Sequence, residues 1–300
     1  MPFFPKTNED VSQFLRSRSK SSLHITGGAH DHPRAETISL SQLKKGLVYE
    51  PEEMIISVQA GITLVELQQI LKENGQWIPT LVAEESLQLT LGAAIAMDHY
   101  HPRAKNCGML RTTILGGTFC ATNGEIFKSG SRVVKSVAGY DIHRAFCGSR
   151  GRFGVILDLT LKVQPMPEMF YHFFAPIETG ETLLRYHPTC IEESRGKLLV
   201  EFAGYKEDVL VDVENLTLGN FTVQELDEEK WNYEIKNVIP LRDKGKAKIL
   251  SPEVEFLLHN VRKVFDPDGI LTKFDFSPIN SEVADKPVND FPLRVFPMRK

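Results

Sequence analysis

Gly148-Ser149-Arg150-Gly151-Arg152-Phe153-Gly154-Val155-Ile156-Leu157-Asp158-Leu159-Thr160-Leu161-Lys162-Val163 opens on spaced glycines and closes on a strict alternation. Val155, Leu157, Leu159, Leu161 and Val163 are apolar, with Asp158, Thr160 and Lys162 between them. A period of two predicts a half-buried strand. Upstream, Ile114 to Thr118, then Asn123-Gly124, then Ile126-Phe127 predict a hairpin, because Asn-Gly accepts the positive φ of a type I′ turn. Together these segments read as mostly antiparallel sheet. Downstream, Gln164-Pro165-Met166-Pro167-Glu168 is the best linker, since two prolines interrupt strand pairing.

Before that sheet the pattern is a small α/β unit. Asp10 is placed to cap a short helix bearing Val11, Phe14 and Leu15 on one face. Short apolar strands follow around Leu23–Ile25, Ile38–Leu40, Leu47–Tyr49 and Ile55–Val58. Thr63-x-x-Glu66 is a capping box, Leu64, Leu67 and Leu71 share a face, and Asn74-Gly75 stops the helix. Beyond the linker, strands are expected at Met169–Phe174, Leu198–Phe202 and near Phe221–Val223. Helices are expected near Glu181–Tyr186, over Lys206–Leu216 and from Ser251-Pro252-Glu253, with Pro at the first helical position.

The 300 residues predict two domains, and 42% hydrophobic with 25% charged residues is ordinary globular usage. A net charge of −4 argues against a nucleic-acid binder. The average hides a local excess. Arg103, Lys105, Arg111, Lys128, Arg132, Lys135, Arg144, Arg150 and Arg152 face only Glu125 and Asp141 within that stretch. Such a run is a solvated face, a field that draws an anionic cofactor or substrate, or a partner-docking surface. The four cysteines, Cys107, Cys120, Cys147 and Cys190, show no metal-finger or paired spacing, which suits a reducing cytoplasm. No secretory leader or bilayer-length apolar run is visible, so membrane insertion is not expected.

The candidate chemistry lies in loops. Ile25-Thr26-Gly27-Gly28-Ala29-His30-Asp31 follows the first expected strand, where successive N–H groups and glycines suit an anion-binding nest. It is not the G-x-G-x-x-G dinucleotide fingerprint. The small-residue run Thr90-Leu91-Gly92-Ala93-Ala94 follows. Next come Val134-Lys135-Ser136-Val137-Ala138-Gly139-Tyr140-Asp141 and the glycine turn quoted first. Phe265-Asp266-Pro267-Asp268-Gly269-Ile270-Leu271 comes last.

In this order the motifs resemble the FAD-binding domain of vanillyl-alcohol oxidase-type flavoproteins, and look most like the FAD-binding subunit of bacterial glycolate oxidase. The resemblance runs from about Leu23 to Leu271 and is dense between Thr90 and Val163. It implies an α+β fold: an FAD-binding domain over 1–164, and a C-terminal α+β cap or substrate domain over 168–300. The FAD domain would comprise a subdomain with a small mixed sheet (about 1–80) and one with an antiparallel sheet (81–164). The implied cofactor is FAD. Carried over by position, Thr26, Gly27, Gly28, Ala29, His30 and Asp31 would form the pyrophosphate loop. Thr90, Leu91, Gly92 and Ala93 would approach the flavin through backbone atoms. Gly108, Arg111 and Thr112 would match a Gly-x-x-Arg-Asp segment, with Thr112 in place of Asp. Val155 and Ile156 would line the far wall of the cleft.

His30 reads as a covalent flavin link, or as a solvent-facing or pyrophosphate-side histidine. His99 and His101 are candidates for a base or for packing, and Lys135, Tyr140 and Asp141 for chemistry or for a supporting turn. The implied activity is oxidation of a small 2-hydroxy acid such as glycolate by hydride transfer to flavin. The alternatives are a non-catalytic FAD-binding accessory subunit, working beside a catalytic flavoprotein and an iron–sulfur partner, or a sugar or polyol oxidase. The expected place is the cytoplasm, at a membrane only through partners.

Overall fold

The computed structural model describes residues 1–18, 22–27, 36–45, 47–80, 89–99, 101–130, 141–218, 224–227, 230–235, 264–266 and 271. The helix expected from Ser251 and the strand expected near Phe221–Val223 lie outside them.

Helix α1 (Asn8–Ser17) begins one turn earlier than Asp10 suggests. Thr7 Oγ1 accepts from the Asp10 N–H at 3.1 Å, and the Asp10 carboxylate accepts from the Thr7 N–H at 2.9 Å. Thr7 is therefore the cap and Asp10 closes its capping box. Strands β1 (Leu23–Thr26) and β2 (Glu36–Ser39) form a parallel pair, with Phe3 bridging Ile38 on one side and Leu271 bridging Leu23 on the other.

Strands β3 (Leu47–Glu50) and β4 (Ile55–Gln59) do not join that pair. With β6 (Ile114–Cys120), β7 (Ile126–Gly130) and β8 (Val155–Lys162) they build an antiparallel sheet of order β3-β4-β8-β6-β7. The helices of this first unit are α2 (Leu64–Lys72), α3 (Leu91–Met97), α4 (Ala104–Cys107) and α5 (Ile142–Ala145), and β5 (Gln76–Trp77) is a short strand. The hairpin forms, but Asn123 stays out of the positive-φ region and only Gly124 enters it, at 80°. Asn123 Oδ1 instead accepts from the Glu125 N–H at 2.9 Å, so the turn is a longer loop, not type I′.

Strand β8 is buried on both faces, not one. The register with β6 slips between Thr118/Asp158 and Phe119/Ile156, leaving Leu157 as the extra residue of a bulge. Beyond it the phase flips. Ile156, Leu159 and Leu161 join a core with α2, α3, Phe119 and Phe146, whereas Val155 and Leu157 join a second core with α1, β1 and β2. The alternation was legible, but the layer packed on the other face was not.

The expected linker pairs briefly, as β9 (Gln164–Pro165) lies against β5. Strands β10 (Met169–Ala175), β11 (Cys190–Ser194), β12 (Lys197–Gly204) and β13 (Gln224–Leu226) then form a second antiparallel sheet, order β11-β12-β10-β13. Helices α6 (Gly180–Leu183) and α7 (Lys206–Leu218) belong to this unit, and Leu183, Val209 and Leu216 pack on one face of its sheet. Phe174, Cys190, Leu199 and Leu226 cover the other face with Trp231. From far along the chain, Phe265 returns to the first unit, stacking on Phe127 at 5.5 Å and accepting from the Thr122 N–H at 3.0 Å.

Candidate cofactor site and the junction beside it

Three of the sequence motifs converge on α3. Strand β1 delivers Thr26 and Gly27 to the start of that helix. A Cβ on Gly27 would lie 2.1 Å from Thr90 Oγ1 and 3.2 Å from Ala93 Cβ, so only glycine permits this approach. Thr90 is the helix cap, its Oγ1 accepting from the Ala93 N–H at 3.3 Å. Next to it, Leu91 N–H donates to Ile62 O and Gly92 N–H to Ala60 O, each at 2.8 Å. A Cβ on Gly92 would sit 2.9 Å from Ala60 Cβ. Thr90, Leu91 and Gly92 are thus seated on the 60–63 turn by backbone contacts.

The glycine turn meets the other end of α3. Gly148 N–H donates to Ile95 O at 3.0 Å and Arg150 N–H to Ala96 O at 2.7 Å. Gly148, Arg150 and Gly151 all have positive φ, at 71°, 52° and 74°. Gly151 faces Ile25 of β1, 3.9 Å from where its Cβ would be. In Gly154 a Cβ would lie 2.4 Å from Cys120 O, so this glycine lets the turn enter β8 beside β6. Ser149 Oγ, in the same turn, is buried with no protein hydrogen-bond partner.

The remaining expected residues are placed differently. Gly108 ends α4 at φ 85° and packs against its own Thr112, whose Oγ1 donates to Met109 O at 2.7 Å. Arg111 reaches Asp98 at 3.3 Å, which ties this turn to the C-terminus of α3. Val155 and Ile156 are core residues on opposite faces of β8. Gly28, Ala29, His30 and Asp31 lie outside the described residues, as do Tyr100, Lys135 and Tyr140. His99 and His101 are buried. Burial, with the charge of Arg103 and of His99, lowers His101 to about 4, against a raising effect of the Gly108 backbone. It is a neutral imidazole at physiological pH and a weak base.

Three of the nine basic residues have acidic partners among the described residues. Arg111 pairs with Asp98, and Arg144 with Asp141 at 3.2 Å. Arg103 leaves the surface altogether. Its Nε and Nη2 donate to the two Glu201 oxygens at 2.6 and 2.7 Å, and His172 Nε2 lies 2.9 Å from Glu201 Oε2. Trp77 and Phe170 cover the guanidinium at 4.9 and 5.4 Å, and Trp231 stacks on His172 at 4.1 Å. Burial alone would raise the Glu201 carboxyl, but Arg103 and the hydrogen bonds from Arg103 and His172 hold it at about 2. This cluster was missed at the sequence level. Its signal was a lone carboxylate inside the apolar strand Leu198-Leu199-Val200-Glu201-Phe202.

The thiols offer no nucleophile. Burial pushes Cys147 up to about 11 and Cys120 up to about 12, and raises Cys107 and Cys190 as well. Among the described residues no group of acidic, histidine or cysteine side chains could hold a metal ion, and no helix is long and apolar enough to cross a membrane.

The geometry suits a cofactor gripped by backbone. Gly27 meets the helix start at the small side chains of Thr90 and Ala93, and an unpaired buried hydroxyl lies in the turn at the helix's far end. Residues 2–130 match the FAD binding domain family. The chain is 30% identical over 190 residues to a D-lactate dehydrogenase of Anaerostipes hadrus, covering 63% of this chain and 39% of that protein. It is 33% identical over 124 residues to the glycolate oxidase subunit GlcE of Escherichia coli, covering 41% of this chain and 35% of that one. It thus spans little more than a third of either relative. An alkyldihydroxyacetonephosphate synthase structure shares the fold over 81% of this chain and 56% of its own, with a TM-score of 0.62 at 16% identity.

Proposed function

We propose that this chain, whose residues 2–130 match the FAD binding domain family, is an FAD-dependent oxidoreductase, or a subunit of one, acting on a small 2-hydroxy acid of the glycolate or D-lactate kind. The observation that carries this reading is the convergence of Gly27, Thr90–Ala93 and the Gly148–Gly151 turn on one short helix. In it, 1–164 is the FAD-binding unit, with subdomains of about 1–80 and 81–164, and 168–300 is chiefly the cap. The protein works in the cytoplasm, reaching a membrane only through partners.

When bound, FAD supplies the hydride-accepting chemistry. The chain's own residues bind and orient. Thr26 and Gly27 would stand at the pyrophosphate side, leading into the loop Gly28–Asp31. Thr90, Leu91, Gly92 and Ala93 would form the edge that holds the cofactor at the start of α3. Buried Phe119, Phe146 and Phe153 stiffen the sheet behind that edge and keep water from it.

The visible spectrum of the purified chain, followed by anaerobic addition of glycolate, D-lactate and a sugar alcohol, tests this. Flavin absorbance bleached by a hydroxy acid supports it; no flavin bound on titration overturns it. A second reading is favoured by one feature. The buried guanidinium that could take a substrate carboxylate is already occupied by Glu201, and the described His101 is too weak a base. A chain so built would serve as the FAD-binding accessory to a catalytic flavoprotein and an iron–sulfur subunit. Turnover of hydroxy acid by the isolated chain with an artificial acceptor excludes that role.

A further inference from the structure

We propose that Arg103 and Glu201 are positioning residues for the cofactor: they clasp the 101–108 segment to the second sheet and thereby hold α3, with its Thr90–Ala93 edge, in register with Gly27. The inference rests on the FAD reading and extends it to the second unit, which would set how well the expected cofactor residues bind.

The segment between α3 and β6 is bolted at several points to the second unit. Arg103 forks onto Glu201. Asn106 Nδ2 donates to Pro188 O, and Cys107 Sγ lies 3.9 Å from Thr189 O. Glu201 cannot swing away. It is fully buried on β12, paired in register with His172 of β10 and Cys190 of β11. An ion pair in such a place adds little stability over well-packed apolar groups, but a two-bond fork admits only one relative orientation of its partners.

The other end of the same segment leads to the cofactor edge. The Gly108 backbone acts electrostatically on the buried His101 ring. Arg111 holds Asp98. Asp98 is the left-handed residue that ends α3, its N–H donating to Ile95 O at 3.0 Å. Helix α3 is only seven residues long. A short helix with Leu91, Gly92, Ala94 and Ile95 buried moves as a unit, so loosening its C-terminal anchor displaces the Thr90 end from Gly27. Coupling of this kind is reciprocal: FAD binding must tighten the clasp as much as the clasp tightens FAD.

The full-length chain is compared with Glu201→Gln, which keeps shape and loses charge, and Arg103→Lys, which keeps charge and loses the fork. FAD affinity is read by flavin titration, and amide exchange is followed in the cofactor-free protein over Leu91–Met97 and 104–113. Trp77 and Trp231, the chain's two tryptophans, flank the cluster, and their fluorescence reports its integrity. Expected is FAD binding weakened by about 5- to 150-fold with faster exchange in α3. Leu216→Ala, a lesion on the far face of the second sheet, should destabilise the chain without either change. Should Glu201→Gln not fold, Arg103→Lys carries the test. Folded variants with unchanged α3 exchange overturn the clasp, whether or not FAD binds; so does unchanged FAD affinity. Absence of flavin binding in the unmodified chain overturns the FAD reading alone, since exchange still decides the clasp.

Discussion

The proposed cofactor edge lies at the start of α3 and the clasp beyond its other end, and the two are made of opposite materials. At Gly27, Thr90, Gly92 and Ala60 glycine backbone meets small side chains and backbone carbonyls, and the side chains matter by being small. At Arg103, Glu201 and His172 the backbone is incidental, and long charged side chains meet inside a wall of aromatic rings. The first arrangement tolerates changes of side-chain chemistry but no added volume. The second tolerates no change of charge. Substitutions that separate volume from charge therefore test whether the contrast is real.

The largest effect is expected at the clasp. Glu201→Ala leaves Arg103 as an uncompensated buried cation, which costs ~3–5 kcal/mol. Denaturant unfolding followed by tryptophan fluorescence measures it; a loss no greater than that of an ordinary surface substitution would make the cluster ornamental.

Acid should find the neighbouring histidine first. His101 is held at about 4 rather than its usual 6.5, so between those values the unfolded chain binds more protons than the folded one. Its contribution is whole above pH ~6.5 and declines by about 3 kcal/mol as pH falls to about 4. Glu201, held at about 2, acts lower: its contribution is present above the ordinary carboxylate range and is lost as pH falls toward 2. Urea midpoints measured from pH 7 to 4.5 follow the His101 loss together with that of His143, which burial also lowers, and His101→Gln should remove the His101 share of the slope.

At the cofactor edge the test is volume. Gly27→Ala places a methyl 2.1 Å from Thr90 Oγ1, which must displace the cap of α3. Overpacking and cap loss together predict ~1–3 kcal/mol, accompanied by loss of FAD binding. Thr90→Ser, which keeps the hydroxyl, should retain both. If Gly27→Ala binds FAD normally, the edge is not where the cofactor lies.

This contrast also explains what the sequence disclosed. A backbone site leaves a local trace, because closely approaching chains demand glycine and alanine at fixed positions. Gly27, Thr90 to Ala93 and Gly148 to Gly154 were therefore readable as motifs. The hairpin, β8 and the capped α2 were readable for the same reason, since their signals span only a few residues. The clasp joins residues nearly a hundred positions apart, and neither Arg103 nor Glu201 has a local pattern that names the other. Both faces of β8 were misjudged on the same ground: its alternation is local, whereas the α1–β1–β2 layer that buries Val155 and Leu157 is not. Strands β3 and β4 followed the long-range pairing with β8 over the nearby β1 and β2.

The smallest effect concerns the basic stretch itself. Arg144 and Asp141 form an ion pair three residues apart, with side chains 72% and 54% exposed. Water screens such a pair and its side chains lose entropy on meeting, so Arg144→Ala should change stability by only ~0.2–1 kcal/mol. The same charge change at Arg103 should approach the cost at Glu201. Measured side by side, the two arginines separate sequence charge from structural charge. One sits in a solvated run that the composition makes conspicuous, and the other is hidden where the composition cannot distinguish it. If Arg144→Ala instead weakened FAD binding strongly, the exposed part of the basic run would be a working field for the anionic cofactor, and not a balanced surface.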